Sequence, residues 1–207
     1  MRPEEHIENL RKKLGGKLPG WDIQKKFLPS TPIPGVKYTT EDEQQLRKGA
    51  VLTCLYIDNG EIMTILIERT VDTSPHSGQI AFPGGKYEKE DKTQVRTALR
   101  EAEEEVGLPG EQVEVIGSLS PVKIPVSGFT VLPVIGYYHG IPDLTPCPHE
   151  VNTMIQTPLI PLIKSLETRK IIVRGYEIET PVFTAGGHIV WGATAMVLGE
   201  LRAVLTN

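Results

Sequence analysis

Arg100-Glu101-Ala102-Glu103-Glu104-Glu105-Val106-Gly107-Leu108 is the stretch on which the reading of this chain turns. It closes a helical segment, residues 92–106, in which Val95, Ala98, Leu99, Ala102 and Val106 recur at offsets of three, four, seven and eleven. At about 100° per residue these side chains form one apolar stripe that faces a core, and Gly107 supplies the stop. By the same geometry Glu101, Glu104 and Glu105 share one side of the stripe, Glu105 nearest it and Glu104 farthest, while Glu103 lies on the other flank.

Like charges three or four positions apart destabilise a helix by about 0.2–0.5 kcal/mol per pair, and partial burial enlarges that repulsion. A cation reverses the sign. Carboxylate oxygens are hard donors suited to Mg2+ or Mn2+, and no His or Cys cluster stands beside them to favour zinc. Arg100, one turn before Glu103 and Glu104, is placed to fix a carboxylate's direction. Charge geometry by itself leaves two readings open, a solvated acidic face and a cation site.

Upstream of the helix, residues 76–85 are punctuated by glycine and proline, and before them two β-rich runs, 50–57 and 62–68, flank Asn59-Gly60, a hairpin-turn signal. Further upstream, Ile7, Leu10 and Leu14 lie at helical spacing in residues 3–14, stopped by Gly15 and Gly16. Pro29, Pro32 and Pro34 make residues 28–35 an extended connector, and a second short helix is expected over about 40–47. Residues 1–48 therefore read as an N-terminal extension that packs on the main domain, 49–207, or on a second copy in a homodimer. Downstream, strands are expected over 113–119 and 131–138, an irregular loop over 139–150 and a short helix over 158–166. A hairpin over 170–178 and 180–184 and a final helix over 190–204 complete the chain. Strands and helices mix without regular βαβ alternation, so the fold class is α+β, a mixed sheet with helices outside.

The 207 residues are 39% hydrophobic and 23% charged, within globular limits, with a net charge of -4 from 26 acidic and 22 basic side chains. No broad basic surface is available to neutralise a nucleic-acid backbone, so a small phosphorylated substrate fits better than a duplex. Two cysteines, Cys54 and Cys147, lack ligand-like spacing and point to a reducing compartment. The charged N-terminus and the interrupted apolar runs give neither a signal peptide nor a membrane span, and the expected location is the cytoplasm.

The run from Gly84-Gly85 through Arg100-Glu101-Ala102-Glu103-Glu104-Glu105-Val106-Gly107-Leu108 resembles the Nudix box, whose pattern is Gly, five residues, Glu, seven residues, then Arg-Glu-apolar-any-Glu-Glu-any-Gly-apolar. The second half matches at every specified position. The first half departs from it, with Asp91 in place of Glu and eight residues before Arg100; Asp91 also reads as a capping-box start with Gln94. The resemblance implies a Nudix α/β/α sandwich over 49–207 and metal-dependent hydrolysis of a pyrophosphate bond in a nucleotide derivative. It implies Glu101, Glu104 and Glu105 as ligands of Mg2+ or Mn2+, the carbonyl of Gly84 as a further oxygen, and Arg100 as the residue orienting the carboxylates. The water's proton then falls to Glu101 or to Glu150, an acid in the long loop where the family often supplies one.

Glu68-Arg69-Thr70 followed by His76-Ser77-Gly78-Gln79-Ile80-Ala81-Phe82-Pro83-Gly84-Gly85 is similar to the added signature of the coenzyme A pyrophosphatase subgroup, which also tolerates acids at Glu88 and Asp91 with a longer spacer. Ser127-Gly128-Phe129 and Trp191-Gly192-Ala193-Thr194-Ala195 extend the match, and Thr73-Ser74 departs from it where the subgroup carries Leu-Arg. The likeness implies cleavage of coenzyme A to 4′-phosphopantetheine and adenosine 3′,5′-bisphosphate, with Arg69, His76 and Gln79 as substrate contacts. A Nudix pyrophosphatase for an ADP-sugar or dinucleotide, and a non-catalytic nucleotide-binding module, are the alternatives.

Overall fold

In the computed structural model, which describes residues 2–31, 46–71 and 77–206, strand β1 (Arg47–Asp58) is central because both of its faces are apolar. Ala50, Leu52, Cys54 and Tyr56 join the core on one side of the sheet, and Val51 and Leu55 the core on the other. Strand β2 (Glu61–Arg69) returns antiparallel through Asn59-Gly60, both at positive φ (48° and 78°), as a two-residue hairpin turn requires. On its other edge β1 runs parallel to β7 (Phe129–Tyr138), from Arg47 beside Phe129 to Leu55 beside Tyr137.

The remaining strands pair antiparallel around these three. β3 (Ile80–Ala81) and β8 (Val151–Pro158) pair with β2, β4 (Gly84–Lys86) with the start of β1, and β5 (Val113–Ser118) and β6 (Val122–Ile124) with β7. Helix α3 (Gln94–Val106) covers one face through Ala98, Leu99, Ala102 and Val106. The other face carries α1 (Pro3–Leu14), α2 (Trp21–Gln24), α4 (Leu159–Lys164) and α5 (Gly192–Thr206). A second sheet of β9 (Glu167–Val173), β10 (Tyr176–Ala185) and β11 (His188–Val190) adjoins them. The result is the expected α+β sandwich around a mixed sheet.

The opening segment is seated on the main domain. Ile7, Leu10 and Leu14 enter the core that α5 also fills, and Phe27 stacks on Phe183 with ring centroids 5.6 Å apart. Glu200, fully buried on α5, accepts hydrogen bonds from the Gly20 amide (3.0 Å), Gln24 Nε2 (2.9 Å) and the Ser120 amide (3.3 Å). Three segments distant in sequence are pinned by one carboxylate whose burial is compensated by these donors.

Several expectations shift. Trp21–Gln24 and the 3-10 turn Lys25–Phe27 form helical structure where none was expected. Of the helix expected over 40–47, residues 40–45 lie outside the described residues and Arg47 begins β1. The second hairpin turns at Arg174-Gly175, ahead of the expected break at Glu179, and the last helix begins at Gly192 after the short strand β11. Strand β8 was not anticipated: Val151, Ile155 and Thr157 are its buried residues, and it gains strand geometry from pairing with β2. Among the described residues no helix is long and apolar enough to cross a membrane.

Candidate active site

Helix α3 begins at Gln94 because Thr93 caps it, its hydroxyl accepting from the Arg96 amide at 3.2 Å. It ends at Gly107, whose φ of 70° is the left-handed stop. The last-turn carbonyls find partners outside the helix: the Thr145 amide donates to Val106 O (2.9 Å) and the Cys147 amide to Glu105 O (2.8 Å). The irregular loop over 139–150 is thereby hung on the end of α3. Its far end is tied to β2, where the Thr70 amide donates to Glu150 O (3.0 Å). These bonds bring Glu150 into the electrostatic field of the helical acids, where its charge raises the carboxyls of both Glu101 and Glu105.

Burial of the three helical acids follows the helical geometry. The side chain of Glu105 is 1% exposed, that of Glu101 14% and that of Glu104 53%. Glu105 accepts from Arg69 Nη1 (3.0 Å) and from the Gly84 amide (2.8 Å). Desolvation nevertheless dominates, and its carboxyl is pushed up to about 7, with Glu101 and Glu150 adding to the rise. Glu101 is raised as well, first by burial and then by the charges of Glu104 and Glu150, against the opposing pull of Arg100. Its carboxylate rests against Gly85, where a Cβ would lie 2.4 Å from it, so a larger residue there would displace the carboxylate from this position.

Arg100 is the hub of this cluster. Its guanidinium donates to Asp91 (2.8 and 3.1 Å), Glu101 (2.9 Å), Glu104 (2.9 Å) and the Lys86 carbonyl (3.2 Å). Asp91, buried, also accepts from the Thr97 hydroxyl (2.8 Å) and the Glu88 amide (3.0 Å), and the Arg100 guanidinium beside it holds its carboxyl down at about 2. The capping-box reading of Asp91 with Gln94 is corrected: Asp91 closes a box with Glu88 in the preceding 3-10 turn, and Thr93 caps the helix. Its importance lies in holding Arg100, a contact nine residues away along the chain that no local pattern reveals. Replacing Asp91 by asparagine is expected to cost on the order of 2 kcal/mol of stability and to lower kcat roughly tenfold by loosening Arg100. Thermal melts and turnover of the same variant check both, and wild-type kcat would show that Arg100 needs no such anchor.

Gly84 meets the cluster through its amide, which serves Glu105. Among the described residues no three acidic, histidine or cysteine side chains converge into a ready cation cage. Arg100 and Arg69 hold the carboxylates instead. The donor set still fits a hard divalent cation, since it offers only carboxylate oxygens, two of them on half-buried or buried side chains that burial first, and neighbouring acids second, keep from their ordinary acidity.

Beside the cluster opens a cavity of about 470 Å³. Arg69, Gln79, Gly84 and Gly85 line it, and so do Ser127 from the β6–β7 turn, Phe129 from the start of β7, and Trp191 to Thr194 at the entry to α5. Thr194 anchors that helix start by donating to the Ile80 carbonyl (2.9 Å). His76 and the Thr73-Ser74 pair lie outside the described residues.

A family model described as the NUDIX domain matches residues 46–150. The chain is 36% identical over 172 residues to "Nudix hydrolase 15, mitochondrial" of Arabidopsis thaliana, covering 79% of this chain and 60% of that protein. It is 33% identical over 165 residues to "Uncharacterized Nudix hydrolase NudL" of Pectobacterium atrosepticum, covering 79% of this chain and 85% of that one. Among solved structures, the Nudix hydrolase RenU from M. smegmatis shares the fold, with a TM-score of 0.51 and 18% identity over 76% of this chain and 85% of its own.

Proposed function

This chain belongs to the Nudix hydrolases, and on that premise we propose that it hydrolyses the pyrophosphate bond of coenzyme A or a close derivative, giving 4′-phosphopantetheine and adenosine 3′,5′-bisphosphate. One observation carries the reading. Segments far apart in sequence, at Arg69, Gln79 to Gly85, Ser127 to Phe129 and Trp191 to Thr194, meet on the wall of one cavity that adjoins the acidic helix. These are the segments that resemble the coenzyme A pyrophosphatase signature.

Glu101, Glu104 and Glu105 are the residues that would hold Mg2+ or Mn2+, once Arg69 releases Glu105 to the ion. A divalent cation bound there supplies neutralisation of the pyrophosphate charge. Arg69, freed from Glu105, faces the cavity and can donate its planar fork to a phosphate. Arg100, anchored on Asp91, keeps Glu101 and Glu104 directed as their charges are taken up. Proton acceptance from the attacking water falls to Glu101, whose raised pKa suits a base, or to Glu150, exposed at the end of the loop. Gln79 and His76 complete the substrate contacts that the signature implies.

The test is product analysis by chromatography after incubation with coenzyme A, an ADP-sugar and a dinucleoside polyphosphate, each with Mg2+ and with Mn2+. Coenzyme A is expected to yield the two products named. Turnover of another compound with coenzyme A left intact would replace the substrate while keeping the reaction class.

A further inference from the structure

The chain carries four more acidic than basic side chains, yet the charged residues lining the cavity, among those described, are Arg47, Arg69, Lys86, Lys123 and Arg174, with no carboxylate between them. Arg69 belongs to the reaction centre through Glu105. Two other arginines are held on the wall by features that ask for a ligand. Arg47, exposed at the start of β1, lies with its guanidinium 4.2 Å from the Phe129 ring centroid and gives one N–H to the Ser127 carbonyl at 2.8 Å. A ring and a carbonyl fix its direction without neutralising its charge.

Arg174 occupies the first position of the β9–β10 turn at φ 52°, followed by Gly175 at φ 82°. Asn, Asp or Gly fills such a position with little strain, and arginine does not. A strained backbone site kept for a side chain that lines a cavity is a sign of use. We propose that Arg47 and Arg174 form a second anion subsite, which binds a phosphomonoester carried by the substrate apart from the pyrophosphate that is cleaved. Guanidinium forks match phosphate oxygens in paired hydrogen bonds, and the apolar wall around them, including Phe129 and Val173, strengthens the attraction. A substrate without that phosphate offers neither guanidinium an anion, so the subsite selects substrates by this group. The inference rests on the pyrophosphatase reading for the pose of the remaining substrate, and not for anion binding itself.

Calorimetry with adenosine 3′,5′-bisphosphate and with adenosine 5′-monophosphate tests the subsite without turnover. The wild type is expected to bind the bisphosphate at least about tenfold more tightly, and the Arg47→Gln/Arg174→Gln double variant to bind the two alike. In parallel, kcat/KM is expected to favour coenzyme A over 3′-dephospho-coenzyme A by a similar factor through KM, and the double variant to lose that preference. Arg202→Gln, on the exposed side of α5 and outside the cavity, controls for net charge and should keep it. Equal binding of the two nucleotides by the wild type, or an undiminished preference in the double variant, overturns the subsite. Absence of cleavage with the binding difference intact would instead overturn the pyrophosphatase reading alone.

Discussion

Glu105→Gln is expected to lower kcat at least about 100-fold, close to 3 kcal/mol of transition-state stabilisation, and at the same time to raise thermal stability at neutral pH. Both effects follow from one buried carboxylate. Removed from water, Glu105 holds its proton up to about 7 in the folded protein, against an ordinary value of 4.5. The folded state therefore binds that proton more tightly than the unfolded chain does. Its contribution to stability is fully present below pH 4.5 and is lost as pH rises through about 7, a loss of up to about 3 kcal/mol in the absence of a cation. Glutamine keeps the neutral form's shape and never ionises. The melting temperature of the variant, measured without divalent metal, should match the wild type near pH 4.5 and exceed it increasingly towards pH 8. Added Mg2+ or Mn2+ should reverse the order, because it stabilises only the protein that binds it. Wild-type turnover in this variant would remove Glu105 from the reaction, and a melting difference independent of pH would remove the account of its burial.

That carboxylate also shows where sequence reading is strong. The apolar stripe of α3 sets the order of burial Glu105, Glu101, Glu104, because a helix converts spacing into direction with no help from the rest of the fold. The β1–β2 hairpin was equally legible, since Asn59-Gly60 carries its own turn geometry. Features decided by distant partners were not. Asp91 acquires its role from Arg100 across a 3-10 turn and two helical turns, and its sequence neighbourhood reads as a cap. Strand β8 is ordered by pairing with β2, and Glu200, on a largely apolar helix, is kept buried by the donors of Gly20, Gln24 and Ser120. The turn at Arg174-Gly175 was missed for a different reason: an arginine stands where the turn chemistry calls for Asn or Gly. The local rule failed at a residue lining the cavity, where departures from consistency are expected to gather.

Phe27→Ala is expected to destabilise the protein by about 3–5 kcal/mol, a large part of the roughly 5–15 kcal/mol that holds a domain folded. Phe27 precedes the segment that the family model matches, yet its ring is 5% exposed and stacked on Phe183. On α5 it fills the space that Gly199 leaves: a Cβ at that position would meet the ring at 2.0, 2.3 and 2.9 Å, with no flexible tip to yield. Gly199→Ala alone should therefore destabilise by about 1–3 kcal/mol through overpacking, although alanine favours a helix over glycine by about 1 kcal/mol. In the Phe27→Ala background the clash is gone and the same substitution should become neutral or stabilising. A double-mutant cycle read by denaturant unfolding is expected to give a coupling of about 2 kcal/mol. The cavity wall should report the same event: Phe27 lines it with Leu28 and Pro29, so KM is expected to rise in Phe27→Ala at a temperature where the fold persists. Additive free energies in the cycle would separate Phe27 from Gly199, and with them the case that residues 2–31 are one folding unit with the hydrolase core.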